Sequence, residues 1–338
     1  IGRKITKLDG NENPYLSSPK ARDVLASFPY YHIYPDPLQR NLRAALANYT
    51  GFPAENIVCG NGSDELIDLV LRLFLNEGDE VLSFPPTFGM YPFVVSVCGG
   101  RLIAVPRTSD FAIDLKRAAA RVSSRTKVVF IASPNNPTAG TVSREEVKAL
   151  LDLGLVVVVD EAYYEFSGDS VLDMLPGNPS LLVLRTFSKW AGLAGLRVGY
   201  CICHEDLVSH FLKIKQPYNV NVAGEAAAIA SLQDADYLLA NVDRLRGERD
   251  RMLRELASIP WMHPLPSQAN FVLCRVDEKG SQSHSTTARR VRDRLRLRGI
   301  LVRFYESPDL RDCLRISAGR PEDTDTLLAA LEEVWHEL

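Results

Sequence analysis

Two runs in this chain carry no polar residue at all: Val-Val-Phe-Ile at 128–131 and Val-Val-Val-Val at 156–159. A strand with one wet face alternates polar and apolar residues, so unbroken β-branched runs of this length belong to strands covered on both faces. Further strand-like runs fall at 57–59, 81–84, 102–105, 181–184 and 198–203, and 128–132 and 155–160 extend the first two. Helical patterns or loops separate them. Residues 38–49 place Leu38, Leu42, Ala45, Leu46 and Tyr49 on one stripe, and 63–74 does the same with Leu66, Ile67, Val70, Leu73 and Phe74. Strand alternating with helix predicts an α/β fold in three layers, with a mostly parallel central sheet between helices.

The texture changes past about residue 225. Long helical patterns at 225–232 and 237–256 precede strands at 270–276, 300–304 and 313–317, with helices at 288–298 and 324–338. This predicts a smaller α+β domain over 226–338, after a large domain over 36–225 and a loop-like arm rich in Pro, Asn and Tyr over 1–35. The polar stretch 277–287 is predicted to be a mobile loop. No internal repeat is visible.

The net charge of −3 argues against a general nucleic-acid binder, despite Arg289, Arg290, Arg292, Arg294, Arg296 and Arg298. Ala288, Val291 and Leu295 share one face of that helix and pack inward, which leaves the arginines on a solvated surface. No apolar run approaches the roughly 20 residues of a membrane span, and residues 1–9 show no signal-peptide core. The chain opens on Ile, as one trimmed of a leader would. Six scattered cysteines without a C-x-x-C pair suit buried free thiols in a reducing compartment, and no metal site is expected. A cytoplasmic location follows, or the plastid stroma if the source is a plant or alga.

The stretch TFSKWAGLAGLRVGY at 186–200 carries the chemistry. Lys189 follows an apolar strand and precedes Gly192, Gly195 and Gly199. A lysine amine kept neutral by desolvation is the nucleophile that condenses with an aldehyde. The hydroxyls of Thr186 and Ser188 and the guanidinium of Arg197 suit a phosphate monoester beside it. An aldehyde that carries a phosphate is pyridoxal 5′-phosphate. The same stretch also reads as a loop lysine beside a glycine-rich turn.

Ligands of open parallel sheets bind beyond the C-terminal strand ends, and several candidates fall there. Asp160 ends a strand; it suits a helix N-cap, and equally the anionic partner of a pyridinium nitrogen. Tyr163 lies three residues on. Asn136 follows another strand and reads either as a plain turn or as a donor to a ring oxygen. Gly62 and Ser63 open a helix whose N-terminus is a natural phosphate seat, although Asp64 in its first turn would repel a phosphate it faced. Phe88 reads as core or as a stacking partner for a flat ring.

Together these blocks resemble the fold-type I pyridoxal-phosphate-dependent aminotransferases. The likeness covers nearly the whole chain through LDGNENPY, YPDP, GNGSDELI, PPTFGMY, SPNNPT, DEAYYEF, the lysine motif, KQPYNV, ANF and LRIS. Within the family the chain looks like the branch that acts on histidinol phosphate. The resemblance implies that Lys189 holds the cofactor and shuttles a proton. Asp160 would pair with the ring nitrogen, Asn136 and Tyr163 would contact the ring oxygen, and Phe88 would stack on the ring. Gly62, Ser63, Asp64, Thr186, Ser188 and Arg197 would hold the phosphate, with Tyr34 reaching it from a second subunit of a homodimer. Asn13, Arg303 and Arg315 would bind substrate, Arg315 the α-carboxylate of glutamate or 2-oxoglutarate and Arg303 the phosphate of histidinol phosphate. The family's usual glycine after NPT is Ala139 here, which bears on the conformation of that loop. A decarboxylase of threonine phosphate and an aromatic-amino-acid aminotransferase would use much the same residues. A regulatory module on this fold would need a DNA-binding segment, and none is visible in the first 35 residues.

Overall fold

The structure is a computed structural model that describes residues 5–279 and 286–338. In chain order it runs β1 (Thr6–Leu8), α1 (Pro19–Ser27), α2 (Arg40–Thr50), β2 (Ile57–Gly60), α3 (Gly62–Phe74), β3 (Glu80–Ser83), α4 (Met90–Val97), β4 (Arg101–Ala104), α5 (Leu115–Ala119), β5 (Thr126–Ala132), α6 (Arg144–Leu151) and β6 (Val156–Asp160). It continues with α7 (Tyr164–Ser167), β7 (Leu181–Thr186), β8 (Gly199–Ile202), α8 (Glu205–Ile214), α9 (Val222–Leu232), α10 (Ala235–Ala257), β9 (Met262–Pro264), β10 (Phe271–Val276), α11 (Thr287–Leu297), β11 (Ile300–Phe304), β12 (Cys313–Ser317) and α12 (Pro321–Glu337).

Seven strands form the large sheet in the order β2-β8-β7-β6-β5-β3-β4. All run parallel except β8, which is antiparallel to both neighbours. The unbroken apolar runs have the expected cause. On β5, Val129 and Ile131 enter the core on one face while Val128 and Phe130 enter the core on the other, and β6 divides Val157 and Val159 from Val158 in the same way. Each such valine buried contributes roughly 1.5–3 kcal/mol. Because β2 to β7 run parallel, their C-terminal ends lie on one edge, where β8 begins.

The smaller sheet has the order β1-β11-β12-β10-β9, with β1 parallel to β11 and the other pairs antiparallel. Leu8, Met252, Leu256, Val272, Leu314, Ile316 and Leu331 lie in its core. The long helix α10 serves both cores: Leu238, Val242 and Leu245 pack on the large one, Met252 and Leu256 on the small one.

Several expectations need correction. The first 35 residues are not all loop. Thr6–Leu8 adds a strand to the small sheet, and α1, capped by the Ser18 side chain on Ala21 N–H, packs against α9. Leu38 is exposed because Gln39 takes a left-handed φ of 46° and α2 starts only at Arg40. Cys98 is half-buried, whereas the other five free cysteines are buried. The loop expected at 277–287 ends earlier, at the Thr286 cap of α11, and residues 280–285 within it lie outside the described residues. Ala288, Val291 and Leu295 of α11 are fully buried, as the arginine-rich pattern implied. Among the described residues, no helix is long and apolar enough to cross a membrane.

Candidate active site

Asp160, the last residue of β6, faces a cavity of about 300 Å³ at the C-terminal edge of the large sheet. Tyr91 Oη donates to its Oδ2 at 2.9 Å, and Ala162 N–H donates to Oδ1 at 3.1 Å. Burial outweighs both donors and pushes the carboxyl up to about 6. Tyr91 is itself fully buried and stacked on Phe130. Phe88, three residues before it, lines the cavity and meets the Tyr91 ring edge-on at 5.6 Å.

The loop after β7 brings Ser188 and Lys189 to the cavity beside Thr186, the final residue of that strand. Thr186 Oγ1 donates to Ser188 Oγ at 3.0 Å and accepts from Ser188 N–H at 3.1 Å, which fixes the turn ahead of the lysine. Lys189 Nζ donates to Gly10 O at 3.4 Å and lies 5.8 Å from the centroid of the Tyr163 ring. Tyr163 Oη accepts from Asn11 Nδ2 at 2.9 Å.

Arg197 stands two residues before β8, held in a left-handed conformation, and pairs with Asp64 Oδ2 at 2.7 Å. Ser63 and Asp64, in the first turn of α3, line the cavity beside it. The two elements approach so closely that only glycine fits. A Cβ on Gly199 would stand 2.5 Å from Ser63 N, and one on Gly62, whose φ is +76°, would stand 2.4 Å from Arg197 Nη2.

Asn136 and Arg315 close the far side. Arg315 Nη1 donates to Asn136 Oδ1 at 2.6 Å and Nη2 to Asp9 O at 2.5 Å, while Nε–H finds no partner among the described residues. Asn135 is spent on Thr87, Thr138 and Pro86 O, so only Asn136 faces the cavity. Ala139 adopts the left-handed φ of 60° that the family's glycine would take freely. That conformation costs an alanine about 1–2 kcal/mol. Hydrogen bonds from Ala139 N–H to Asn135 O and from Gln268 N–H to Ala139 O hold it there.

Arg315 is buried, yet it has no ion-pair partner among the described residues. A buried cation without an anion is costly, so the cavity is built to receive one. Arg303 pairs with Arg315 in register across β11 and β12. It is exposed and lines an adjoining cavity of about 540 Å³, which shares Phe88, Asn136 and Arg315 with the first.

Two predicted residues are elsewhere. Asn13 does not reach the cavity: its Nδ2 donates to Trp190 O and its Oδ1 accepts from Tyr15 N–H, so it braces the chain beyond Lys189. Asn11 lines the cavity in its place. Tyr34 is 78% exposed and stacks on Tyr218 in a shallow aromatic depression away from its own chain's cavity.

A family model of aminotransferase class I and II matches residues 3–331. The chain belongs to the class I and II aminotransferases. This aminotransferase is 51% identical over 337 residues to the histidinol-phosphate aminotransferase of Roseiflexus castenholzii, covering 98% of this chain and 90% of that protein. Against the chloroplastic histidinol-phosphate aminotransferase 1 of Arabidopsis thaliana it is 42% identical over 340 residues, with 99% and 80% covered. Its fold superposes on the crystal structure of histidinol-phosphate aminotransferase from Sinorhizobium meliloti in complex with pyridoxal-5′-phosphate. The TM-score is 0.91 at 32% identity, over 99% of this aminotransferase and 92% of that chain. The large sheet, with one antiparallel strand, is thus that of the fold-type I enzymes, as the sequence blocks implied.

Proposed function

We propose that this enzyme transfers an amino group between histidinol phosphate and 2-oxoglutarate in histidine biosynthesis, with pyridoxal 5′-phosphate as cofactor. The observation that carries the reading is the buried Arg315, without an ion-pair partner among the described residues, sharing one cavity with Lys189 and Asp160, next to a second cavity that holds Arg303.

The residues present suit the cofactor. Burial raises Asp160, and a cation opposite it would repay that cost, as a protonated ring nitrogen does. Glycines 62 and 199 leave room where a Cβ would block the seat at the start of α3. Arg197 pairs with Asp64, but both side chains are about 40% exposed, so the pair is worth at most about 1 kcal/mol and yields readily to a phosphate. When bound, pyridoxal phosphate supplies an aldehyde that takes up the amino group and a ring that accepts the electron pair released at the substrate's Cα.

The chain's own residues do the rest. Lys189 Nζ would hold the cofactor and move the proton at the substrate's Cα. Asp160 would keep the ring protonated, Tyr163 and Asn136 would hold its oxygen, and Phe88 would pack against the ring. Ser63, Asp64 N–H, Thr186, Ser188 and Arg197 would hold the phosphate. Arg315 takes the α-carboxylate of glutamate or 2-oxoglutarate, and Arg303 takes the substrate phosphate. A planar guanidinium accepts either anion, so one site serves a phosphate ester and a dicarboxylate in alternate half-reactions.

The enzyme works as a homodimer in this reading. Tyr30, Ile33 and Tyr34 are each more than half exposed around one depression, with Tyr31 equally exposed next to them in sequence, a cluster of anchors suited to a second copy. Tyr34 then completes the phosphate seat of the partner. We place the enzyme in the cytoplasm, or in the plastid stroma if its source is a plant or alga.

The test is spectroscopic. The loaded enzyme's visible spectrum should change with glutamate and return with 2-oxoglutarate, and histidinol phosphate should serve as amino donor. Release of carbon dioxide from threonine phosphate without transamination would overturn the assignment.

A further inference from the structure

Asn11 is buried, holds a φ of 53°, and lies in the wall of the cavity without belonging to either sheet. A left-handed asparagine pays a conformational cost, so something must over-determine it. Four hydrogen bonds do. Its N–H donates to Ser317 Oγ at 2.9 Å, and its carbonyl accepts from Asn270 Nδ2 at 3.1 Å. Its side-chain Oδ1 accepts from Ser317 Oγ at 2.7 Å, and Nδ2 donates to Tyr163 Oη at 2.9 Å.

In this arrangement Ser317 Oγ accepts from the Asn11 backbone N–H and gives its own proton to Asn11 Oδ1, which leaves the amide NH₂ facing Tyr163. A phenolic oxygen that accepts from Asn11 keeps its own proton for another acceptor. The segment around Asn11 is placed to matter as a unit: Asp9 O accepts from Arg315 and Gly10 O from Lys189. Ser317 ends β12 and Asn270 immediately precedes β10, both in the small sheet, whereas Tyr163 follows β6 of the large one.

We propose that Asn11 is a positioning residue that commits the Tyr163 hydroxyl to donate into the cavity, and that it ties this donor to the small-domain sheet through Ser317 and Asn270. The proposal rests on the cofactor reading above. With the cofactor bound, Tyr163 would donate to the ring oxygen, and Lys189 would hold a proton beside it. Loss of the donor would leave that oxygen more basic and the proton harder to remove.

The experiment is a pH titration of the visible absorption of the loaded enzyme, in wild type, Asn11→Gly, Asn11→Asp and Tyr163→Phe. Glycine takes the same φ without cost, so Asn11→Gly deletes the amide without straining the backbone. Aspartate keeps the acceptor for Ser317 but turns an acceptor toward Tyr163 and draws its proton away from the cavity. Tyr163→Phe should raise the titration midpoint by about one to two pH units, the worth of one hydrogen bond to a charged group. Asn11→Asp should raise it nearly as far and Asn11→Gly by less. Neither change should move the midpoint further in a Tyr163→Phe background. An unchanged midpoint in both Asn11 variants overturns the inference, and so does an equal shift with and without the Tyr163 hydroxyl. A wild type with no visible band on adding cofactor would instead overturn the cofactor reading, and this inference with it.

Discussion

Asp160→Asn should stabilise the cofactor-free protein while it destroys the enzyme, and the gain should depend on pH. The Asp160 carboxyl ordinarily titrates at 3.8, and in the folded protein burial raises it to about 6. Between these values the native state holds a proton that the unfolded chain has lost, so stability falls as pH rises through the window. Below 3.8 both states are protonated and no penalty exists; above 6 both are ionised and the penalty is complete. A difference of about two pH units corresponds to about 3 kcal/mol at pH 8. At pH 5 roughly half of that is already in place. Asparagine fits the site, because its Oδ1 can keep the Ala162 N–H and its Nδ2 can donate to Tyr91 Oη. The exchanged bonds add a constant, but the advantage of the variant should grow by on the order of 1 kcal/mol from pH 5 to pH 8. Urea unfolding of both cofactor-stripped proteins at pH 5, 6, 7 and 8, at one protein concentration, measures this directly. Bound cofactor should flatten the wild-type slope by placing a cation opposite the carboxylate. A pH-independent difference between the two stripped proteins, or a variant less stable at pH 8 than at pH 5 relative to wild type, would show that burial of this charge is not what the fold bears.

Arg303→Ala should weaken histidinol phosphate by about 2–5 kcal/mol, roughly thirtyfold or more, and leave unphosphorylated histidinol almost unaffected; equal losses in KM for both would make Arg303 a structural residue. Gly199→Ala should lower cofactor affinity at least tenfold, measured by equilibrium dialysis, because its Cβ would stand 2.5 Å from Ser63 N and neither backbone can yield. Lys189→Ala should abolish turnover yet still bind the cofactor noncovalently, with partial rescue by small amines; near-normal turnover would remove Lys189 from the chemistry. Tyr34→Glu should also be inactive, and mixing it with Lys189→Ala should restore activity in mixed dimers, since one site then keeps both groups. Tagged mixed dimers that stay inactive would return Tyr34 to its own chain.

The strands of the large sheet were legible because their cause is local. A run such as VVVV has one explanation, burial on both faces, and the observed division of alternate residues between two cores is that explanation. The lysine stretch was legible for a similar reason: Lys189, Thr186, Ser188 and Arg197 are neighbours in sequence and arrive at the cavity together. What the sequence could not determine is anything that depends on two distant segments meeting. Nothing local marks Tyr91 as part of the site, and only the packing of α4 on the sheet puts its hydroxyl on Asp160, 69 residues away. Within LDGNENPY the substrate role went to Asn13, yet the fold turns Asn13 toward Trp190 and Asn11 toward Tyr163. Nothing in the spacing of two asparagines says which will face a cavity formed with residues more than 150 positions on. Thr6–Leu8 read as arm because three residues carry no period, and it is a strand only because β11 offers it an edge. Local pattern fixes which segments must be buried; which side chains then face one another is decided by the topology that brings strand ends to a common edge.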